Sequence, residues 1–472
     1  MVITGRKAEQ ETLKRIVESD EAQFVAVFGR RRVGKTFLIR EFFNHQFAFY
    51  HTGLANTGMS MQLHGFNSSL NNYSTGGYPE AQTWFDSFEQ LIQLLSNRRR
   101  KKGKKVVFID EMPWMDTPRS GFISALEHFW NGWASGQKDI LFIVCGSATS
   151  WVVGKLLNNH GGLHNRVTQQ IHLRPFTLSE CEAYYQKRNI EMSRHEMVEN
   201  YMIFGGIPYY LSLVQKQYSM TQNVDHIVFA ENAALKNEFQ NLYASLFKKA
   251  DNHIKIVEAL SSKTKGLTRD EIIRIAKLPD GGSINRILVE LELSEFIRRY
   301  RSYGKKKRQS LYQLVDFYTL FYFNYLNDYT LKDEHYWTNF IENARHRAWS
   351  GYAFEQVCLA HLPQIKQKLG ISGVLTNTCS WVSSDKENGA QIDLVIERND
   401  RVINLCEIKY AKDAFTIDKK QDENIRHKRA AFKEETKTRK AVHLTMITTH
   451  GVKHNQYRGN IQSEIAANDL FM

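Results

Sequence analysis

The run Gly29-Arg30-Arg31-Arg32-Val33-Gly34-Lys35-Thr36 constrains this chain more than any other stretch. It follows the apolar segment Phe24-Val25-Ala26-Val27-Phe28 and leads into the apolar-rich segment from Thr36 to Phe43. A buried strand, a glycine loop closing on a lysine and a hydroxyl, and then a helix form an arrangement that grips nucleoside triphosphates. The two glycines let backbone N–H groups curl around phosphates. Lys35 brings a compact positive charge to the β/γ end, and Thr36 offers a hydroxyl to Mg²⁺ at a helix N-terminus whose dipole favours anions. Gly29, Arg30, Arg31, Arg32, Val33, Gly34, Lys35 and Thr36 are therefore candidate nucleotide-binding residues, with Thr36 also a metal ligand.

A second apolar run, Val106-Val107-Phe108-Ile109, ends in Asp110-Glu111. An acid at the C-terminal end of such a strand lies beside the bound phosphates. Asp110 is expected to hold Mg²⁺ through water, and Glu111 to polarise the attacking water. A third run, Ile140 to Cys145, ends in Gly146-Ser147-Ala148-Thr149. Ser147 is a candidate sensor of the γ-phosphate, a role compatible with capping the helix that follows. Arg166 reads either as an arginine finger given to a neighbouring subunit, which implies a homo-oligomer, or as an ordinary surface residue. Segments 24–28, 36–44, 84–96, 106–110, 120–132 and 140–145 alternate between strand-like and helix-like, which predicts a parallel sheet covered by helices.

At 472 residues two to four domains are expected. No stretch of 18 apolar residues occurs and the first residues, Met1 to Arg6, lack the apolar core of a signal peptide. The expectation is a cytoplasmic protein with no membrane association. Five cysteines, at 145, 181, 358, 379 and 406, form no C-x-x-C pair, so neither a disulfide framework nor a zinc site is expected. The formal charge of +13 points to a polyanionic partner, DNA first, although lysine-rich surfaces also serve solubility. Two basic runs stand out, Arg98 to Lys105 and Lys305 to Arg308. The first reads as an exposed loop.

Glu180 to Leu213 reads as helical with a break at Gly205-Gly206-Ile207-Pro208, a small lid after the nucleotide-binding core. From about 246 to 315, three amphipathic helices are followed by two short strands flanking Tyr303-Gly304-Lys305. Ile284, Ile287, Leu288 and Leu291 fall at helical spacing on the third helix. This is a winged-helix pattern whose basic wing, with Arg298, Arg299, Arg301 and Lys305 to Arg308, can track phosphates, and it equally suits protein contact. The aromatics from Phe317 to Trp337 read as core packing more than as base-stacking platforms.

In the last part, Gln391 to Glu397 and Val402 to Lys409 form a hairpin with Asp393 on one strand and Glu407 and Lys409 on the next. Alternation puts Glu407 and Lys409 on one face. The two carboxylates are hard oxygen ligands for Mg²⁺, and Lys409 can orient and activate water beside the metal. Glu355, in the helical segment Ser350 to Lys368, is a further candidate ligand, and Lys419 and Gln421 are possible phosphate contacts. A surface salt-bridge ladder is the alternative for the same residues.

Together, Gly5-Arg6 with Glu9, the Gly29 to Thr36 loop, Phe108 to Trp114, Cys145-Gly146-Ser147 and Gly205 to Pro208 resemble the archaeal-type P-loop ATPases, relatives of the AAA+ and STAND ATPases. Many of these carry a winged helix and a C-terminal domain similar to PD-(D/E)xK nucleases, which His346 to Glu355 and the Asp393, Glu407, Lys409 set resemble. The resemblance covers nearly the whole chain. It implies an α/β fold with boundaries at 1–172 (AAA+-like P-loop ATPase core), 173–245 (helical lid), 246–315 (winged helix), 316–345 (aromatic helical connector) and 346–472 (nuclease-like domain). It also implies that Gly5 and Arg6 lie near the adenine or ribose of ATP. One departure is Ile392, which stands before Asp393 where the motif has proline. The expected function is an ATPase coupled to a Mg²⁺-dependent DNA nuclease, and the alternative is a nucleotide-switched DNA-binding or signalling protein with a degenerate nuclease fold.

Overall fold

The computed structural model describes residues 3–98, 103–158, 161–247, 249–304, 309–327, 329, 333–340, 343–385 and 389–472. Two compact units divide at Pro175 and Phe176. Residues 99–102 of the first basic run and all of Lys305 to Arg308 lie outside the described residues. The described end of the first run is structural: Lys104 Nζ donates to the carbonyls of Glu21 and Lys138, both at 2.6 Å.

The first unit runs α1 (Lys7–Glu18), β1 (Gln23–Phe28), α2 (Lys35–Phe42), β2 (Phe49–Thr52), α3 (Met59–Tyr73), α4 (Trp84–Asn97), β3 (Lys105–Asp110), α5 (Phe122–Gly132), β4 (Ile140–Gly146), the short α6 (Thr149–Trp151) and β5 (Gln169–His172). Its five strands are all parallel, in the order β2-β3-β4-β1-β5. Strands β1, β3 and β4 are buried almost throughout. That is why they read as unbroken apolar runs, since helices cover both faces of a parallel sheet. Trp84 is fully buried and meets Phe122 edge-on at 5.0 Å, while Phe24 packs on Trp130 at 5.0 Å and Phe142 at 5.1 Å. With β1 between β4 and β5, Val27 stands opposite both Cys145 and Ile171. The loops after β1, β3 and β4 leave the same edge of the sheet, where open α/β sheets place their ligands. All six segments expected from the sequence are present; α1, β2, α3 and β5 are additional.

The second unit opens with α7 (Leu178–Lys187), α8 (Arg194–Phe204) and α9 (Pro208–Ser212). Capping boxes at Thr177–Glu180 and Ser193–Glu196 start the first two helices. Gly205 ends α8 at φ 61°, and a side chain at Gly206 would come within 2.2 Å of the Phe176 carbonyl, so this turn admits only glycine. The chain continues through α10 (Met220–Val224), α11 (Glu238–Leu246), α12 (Asp251–Ser261), α13 (Arg269–Ala276) and α14 (Gly282–Leu293) to an antiparallel hairpin of β6 (Ile297–Tyr300) and β7 (Leu311–Leu314). Ile284, Ile287, Leu288 and Leu291 are buried, as their spacing requires.

The aromatic stretch is core: Phe239 stacks on Tyr322 at 3.9 Å and 3°, and Trp337 meets Trp349 edge-on at 5.7 Å. After α15 (Phe317–Phe321) and α16 (Tyr336–Phe340), the expected helix over 350–368 is longer at its start and splits at His361 into α17 (Ala344–Ala360) and α18 (Leu362–Lys368). Pro363 sits in the first turn of α18, where its missing N–H costs nothing. Then come β8 (Thr376–Val382), β9 (Gln391–Arg398), β10 (Val402–Lys409), α19 (Lys419–Thr436), β11 (Ala441–Thr448) and β12 (Ser463–Ala466). The sheet order is β12-β11-β10-β9-β8, with β8–β9–β10 antiparallel and β10–β11–β12 parallel. Among the described residues no helix is long and apolar enough to cross a membrane.

Candidate functional site

In the first unit the loop between β1 and α2 is shaped by glycine. Gly29 has φ +141°, and a Cβ there would lie 2.2 Å from the Leu173 carbonyl oxygen beyond β5. Gly34, at φ +90°, turns the chain into α2. Lys35 is 5 % exposed, and its Nζ donates to the carbonyls of Gly29 and Arg30, both at 2.9 Å, and to Ser147 Oγ at 3.1 Å. Ser147 Oγ in turn donates to Glu111 Oε1 at 2.7 Å, and the Ser147 N–H donates to Glu111 Oε2 at 3.2 Å. Thr36 Oγ1 donates to Asp110 Oδ2 at 2.8 Å. The ends of β3 and β4 and the start of α2 thus form one connected polar set.

Glu111 has φ 46°, an uncommon left-handed conformation for a side chain of this size. The Asp110 carboxylate accepts the Glu111 N–H at 3.0 Å and supports that turn. Burial, and then the neighbouring Glu111, push the Asp110 carboxyl up, while bonds from Thr36, Cys145 and the Glu111 N–H oppose them. Cys145 is therefore both core residue and neighbour of the site. Arg6, buried at the start of α1, donates to the Val33 carbonyl at 3.2 Å, so it braces the loop from the side. Arg30 and Val33 are buried, Arg31 and Arg32 half-buried, and Gly5 accepts from Gln10 at 2.8 Å. Arg166 is exposed in the turn before β5 and is not among the side chains gathered here.

The second unit holds the other candidate set. Lys409 Nζ lies 2.8 Å from Glu407 Oε1, on the face that alternation requires. Lys428 of α19 donates to both Glu407 oxygens, at 2.9 and 2.7 Å. Burial pushes the Glu407 carboxyl up, but the Lys428 and Lys409 ammoniums outweigh it and hold it below the usual value. Asp393 of β9 accepts from Gln391 Nε2 at 2.8 Å, and its carboxyl is raised by burial and then by Glu407. Glu355 of α17 is pushed up to about 8 by burial, then by Asp393, with the charges of Arg298 and Lys265 opposing. Lys419 is exposed at the start of α19, and the Gln421 N–H is capped by Asp418 at 2.8 Å.

Sequence reasoning missed Lys428, and it placed Arg298 on a basic wing without the charge that it brings to Glu355. Their partners lie 21 residues away on another element or across a hairpin, so no local pattern marks them. The demand was legible only in general form, because a buried carboxylate such as Glu407 needs a cation or donor. By donor chemistry, Mg²⁺ fits the Thr36 hydroxyl with Asp110, and the Asp393 and Glu407 carboxylates. Among the described residues no group of three acidic, histidine or cysteine side chains forms a ready cage. Mg²⁺ does not require one, since one or two carboxylates with waters and substrate phosphates commonly hold it.

Residues 4–214 match the model of an ATPase domain found predominantly in Archaea, and residues 318–425 match that of archaeal and bacterial proteins of unknown function. An uncharacterized protein of Methanocaldococcus jannaschii is 24 % identical over 415 residues, spanning 87 % of this chain and 88 % of the relative. The fold is similar to that of the Walker-type ATPase of Pyrococcus abyssi, with a TM-score of 0.50 at 15 % identity over 68 % of this chain and 96 % of that one. The ORC2 protein of Aeropyrum pernix, in ADPNP–ADP complexes, aligns over 68 % of this chain and 93 % of its own at 14 % identity and a TM-score of 0.45.

Proposed function

We propose that this chain, which carries an ATPase domain of the archaeal type at residues 4–214, couples ATP hydrolysis to cleavage of DNA by a Mg²⁺-dependent centre near its C-terminus. The observation that carries the first half is the continuous set Lys35–Ser147–Glu111 with Thr36–Asp110 at one edge of a parallel sheet. In this reading Lys35 leaves its own loop carbonyls for the β- and γ-phosphates, and loop N–H groups cradle the rest of the triphosphate. Glu111 accepts a proton from water as the new bond to the γ-phosphorus forms and the β–γ bridge breaks, giving ADP and phosphate. Ser147 aims Glu111 and senses the γ-phosphate. Thr36 and Asp110 would hold a Mg²⁺ ion that neutralises phosphate charge. Gly5 and Arg6 border the nucleoside, and exposed Arg166 is available to a neighbouring copy in a homo-oligomer.

The second half rests on Asp393, Glu407 and Lys409 meeting on adjacent strands behind Glu355. Asp393 and Glu407, with Glu355 as a further ligand, would hold a Mg²⁺ ion whose chemistry is to polarise a phosphodiester and the water that attacks it. Lys409 orients that water and takes part in its deprotonation. Residues 246–315 have the helix and hairpin order of a winged helix, and with the charge of +13 they support DNA as the partner. A second reading, a nucleotide-switched DNA-binding protein that does not cut, is favoured by one observation: both Glu407 oxygens are already engaged by lysines.

Plasmid and single-stranded DNA incubated with Mg²⁺ or Mn²⁺, with and without ATP, separate the two readings. Cutting that is lost in Lys409→Ala and Asp393→Ala and responds to ATP in the wild type but not in Lys35→Ala is the expected result. Intact ATP hydrolysis without cutting under any of these conditions would overturn the nuclease reading in favour of the second.

A further inference from the structure

The β6–β7 hairpin is tied to the elements that carry the C-terminal carboxylates. Arg298 Nε donates at 2.7 Å to Oε1 of Gln313, its direct partner across the hairpin. Gln313 Nε2 donates to the Thr264 carbonyl at 2.6 Å and to Tyr352 Oη at 3.2 Å. Tyr352 Oη donates onward to the Leu314 carbonyl at 3.2 Å. Tyr352 and Glu355 are i and i+3 on α17, so they share one face of that helix.

Beyond β6 the attachment continues. Ser302 bridges Ser380 of the edge strand β8, and the Tyr303 N–H donates to the Ser380 carbonyl at 2.7 Å. The Tyr303 ring packs on Phe432 at 5.1 Å, and its hydroxyl donates to Glu397 at 3.3 Å. A ribbon held at these points is part of the module beside it rather than a free arm.

The charges at the centre explain what such an attachment supplies. Both nearby lysines, Lys409 and Lys428, are committed to Glu407. A phosphodiester approaching Glu355, Asp393 and Glu407 meets carboxylates first and needs a cation that is not already paired. Arg298 forms no carboxylate ion pair among the described residues. Its guanidinium lies over the Tyr300 ring at 5.1 Å and its charge acts on Glu355. With Nε fixed by Gln313, the two Nη groups keep the planar fork that matches two phosphate oxygens.

We infer that Arg298 is a phosphate-binding residue of the C-terminal centre for a nucleic-acid phosphodiester, held in place by the attached hairpin. This rests on the reading of that centre as one that acts on DNA. Lys265, on the turn before α13, adds a second charge that acts on Glu355 from the same region. The cleavage centre is then shared between residues 246–315 and the C-terminal sheet, and the second unit works as one piece.

The test is fluorescence anisotropy of a labelled DNA duplex with the full chain in Ca²⁺, across a salt series, for wild type, Arg298→Gln, Arg298→Lys and Arg299→Gln. Arg299 neighbours Arg298 on β6 and is exposed. We expect Arg298→Gln to weaken binding about tenfold and to lower the salt slope by about one, as loss of one phosphate contact requires. Arg298→Lys keeps the charge but loses the fork, and should fall between. Arg299→Gln should stay within about threefold of wild type. Equal losses in Arg298→Gln and Arg299→Gln would mean diffuse attraction to a basic ribbon and would overturn the assignment, as would wild-type affinity in Arg298→Gln. Thermal melting of each variant guards against misfolding, and the charge-retaining Arg298→Lys keeps the test decisive if Arg298→Gln fails to fold. The two readings fail separately. A wild type that never cuts, while Arg298→Gln alone loses affinity, preserves the Arg298 site and removes the cleavage reading. Cutting and binding unchanged in Arg298→Gln, but cutting abolished in Asp393→Ala, does the reverse.

Discussion

Replacing His361 by glutamine should remove an acid-sensitive brace. His361 sits where α17 ends: its Nδ1 bonds the Val357 carbonyl at 2.8 Å, and its Nε2 accepts the Leu178 N–H at 3.0 Å. Only the neutral ring with its proton on Nδ1 satisfies both partners, because a proton on Nε2 would oppose the Leu178 donor. The residue is 1 % exposed. Burial pulls its pKa from 6.5 to about 4, with the Val357 bond working the other way. The unfolded chain takes up this proton near pH 6.5 and the folded chain near 4. Between those values the unfolded state binds more protons, so stability falls as pH falls and the loss is complete below about 4. At about 1.4 kcal/mol per tenfold change in proton affinity the full loss is about 3 kcal/mol, of which about 2 kcal/mol is reached at pH 5. The assay is urea unfolding followed by tryptophan fluorescence at pH 7.5 and 5.0. His51 and His172, which burial also pulls to about 4, act equally in both proteins and cancel in the comparison. At pH 7.5 His361→Gln should be less stable by about 1 kcal/mol for the lost Val357 bond. At pH 5.0 that deficit should vanish or reverse. Parallel pH dependence of the two proteins would refute the reasoning.

Gly29→Ala should weaken binding of a fluorescent ATP analogue at least tenfold, because its methyl group meets the Leu173 carbonyl at 2.2 Å; unchanged affinity would mean that the loop yields freely. Ser147→Ala removes the hydroxyl bond to Glu111 and leaves only the backbone N–H to hold it, and ATP turnover should fall by about 10- to 100-fold at a charged bond's value of about 1.5–3 kcal/mol. Nucleotide affinity should stay within about threefold, and an equal fall in both would assign Ser147 to binding instead. Asp225 accepts the Trp337 and Thr338 N–H groups at 2.7 and 3.1 Å and the Thr338 hydroxyl at 2.5 Å from a buried position. Asp225→Ala should therefore cost about 3 kcal/mol in urea unfolding, and a loss below about 1 kcal/mol would show that water replaces it.

The central strands of the first unit were legible because burial on both faces demands continuous apolar residues, and the glycine loop because its chemistry tolerates few substitutes. Strand β2 escaped because Phe49-Tyr50-His51-Thr52 is four residues long and includes a buried histidine. Helix α3 escaped because Asn67, Gln62 and the residues Asn71 and Asn72 dilute its apolar stripe. Gln62 is fully buried, yet it holds the Leu54 and Trp114 carbonyls at 2.6 and 3.0 Å, a satisfaction no periodicity reveals. At the C-terminal centre the alternation that pairs Glu407 with Lys409 could be read directly. Lys428 could not, since more than half of its helix is charged and nothing local separates it from Lys420 or Lys433. The tie between Gln313 and Tyr352 depends on tertiary packing and left no mark on either segment.

The position of β1 has a consequence for biosynthesis. Its two sheet neighbours, β4 and β5, begin 117 and 146 residues after it. Gly29 is seated against Leu173, which emerges from the ribosome later still. At about 5–20 residues per second, roughly 7 to 30 seconds separate synthesis of the loop from synthesis of its wall. During that interval a glycine-rich segment with three consecutive arginines is bare on a nascent chain. The wall against which the loop is seated is complete only once the last strand of the sheet has arrived, so the turn at Gly29 is fixed no earlier than the end of this unit's synthesis.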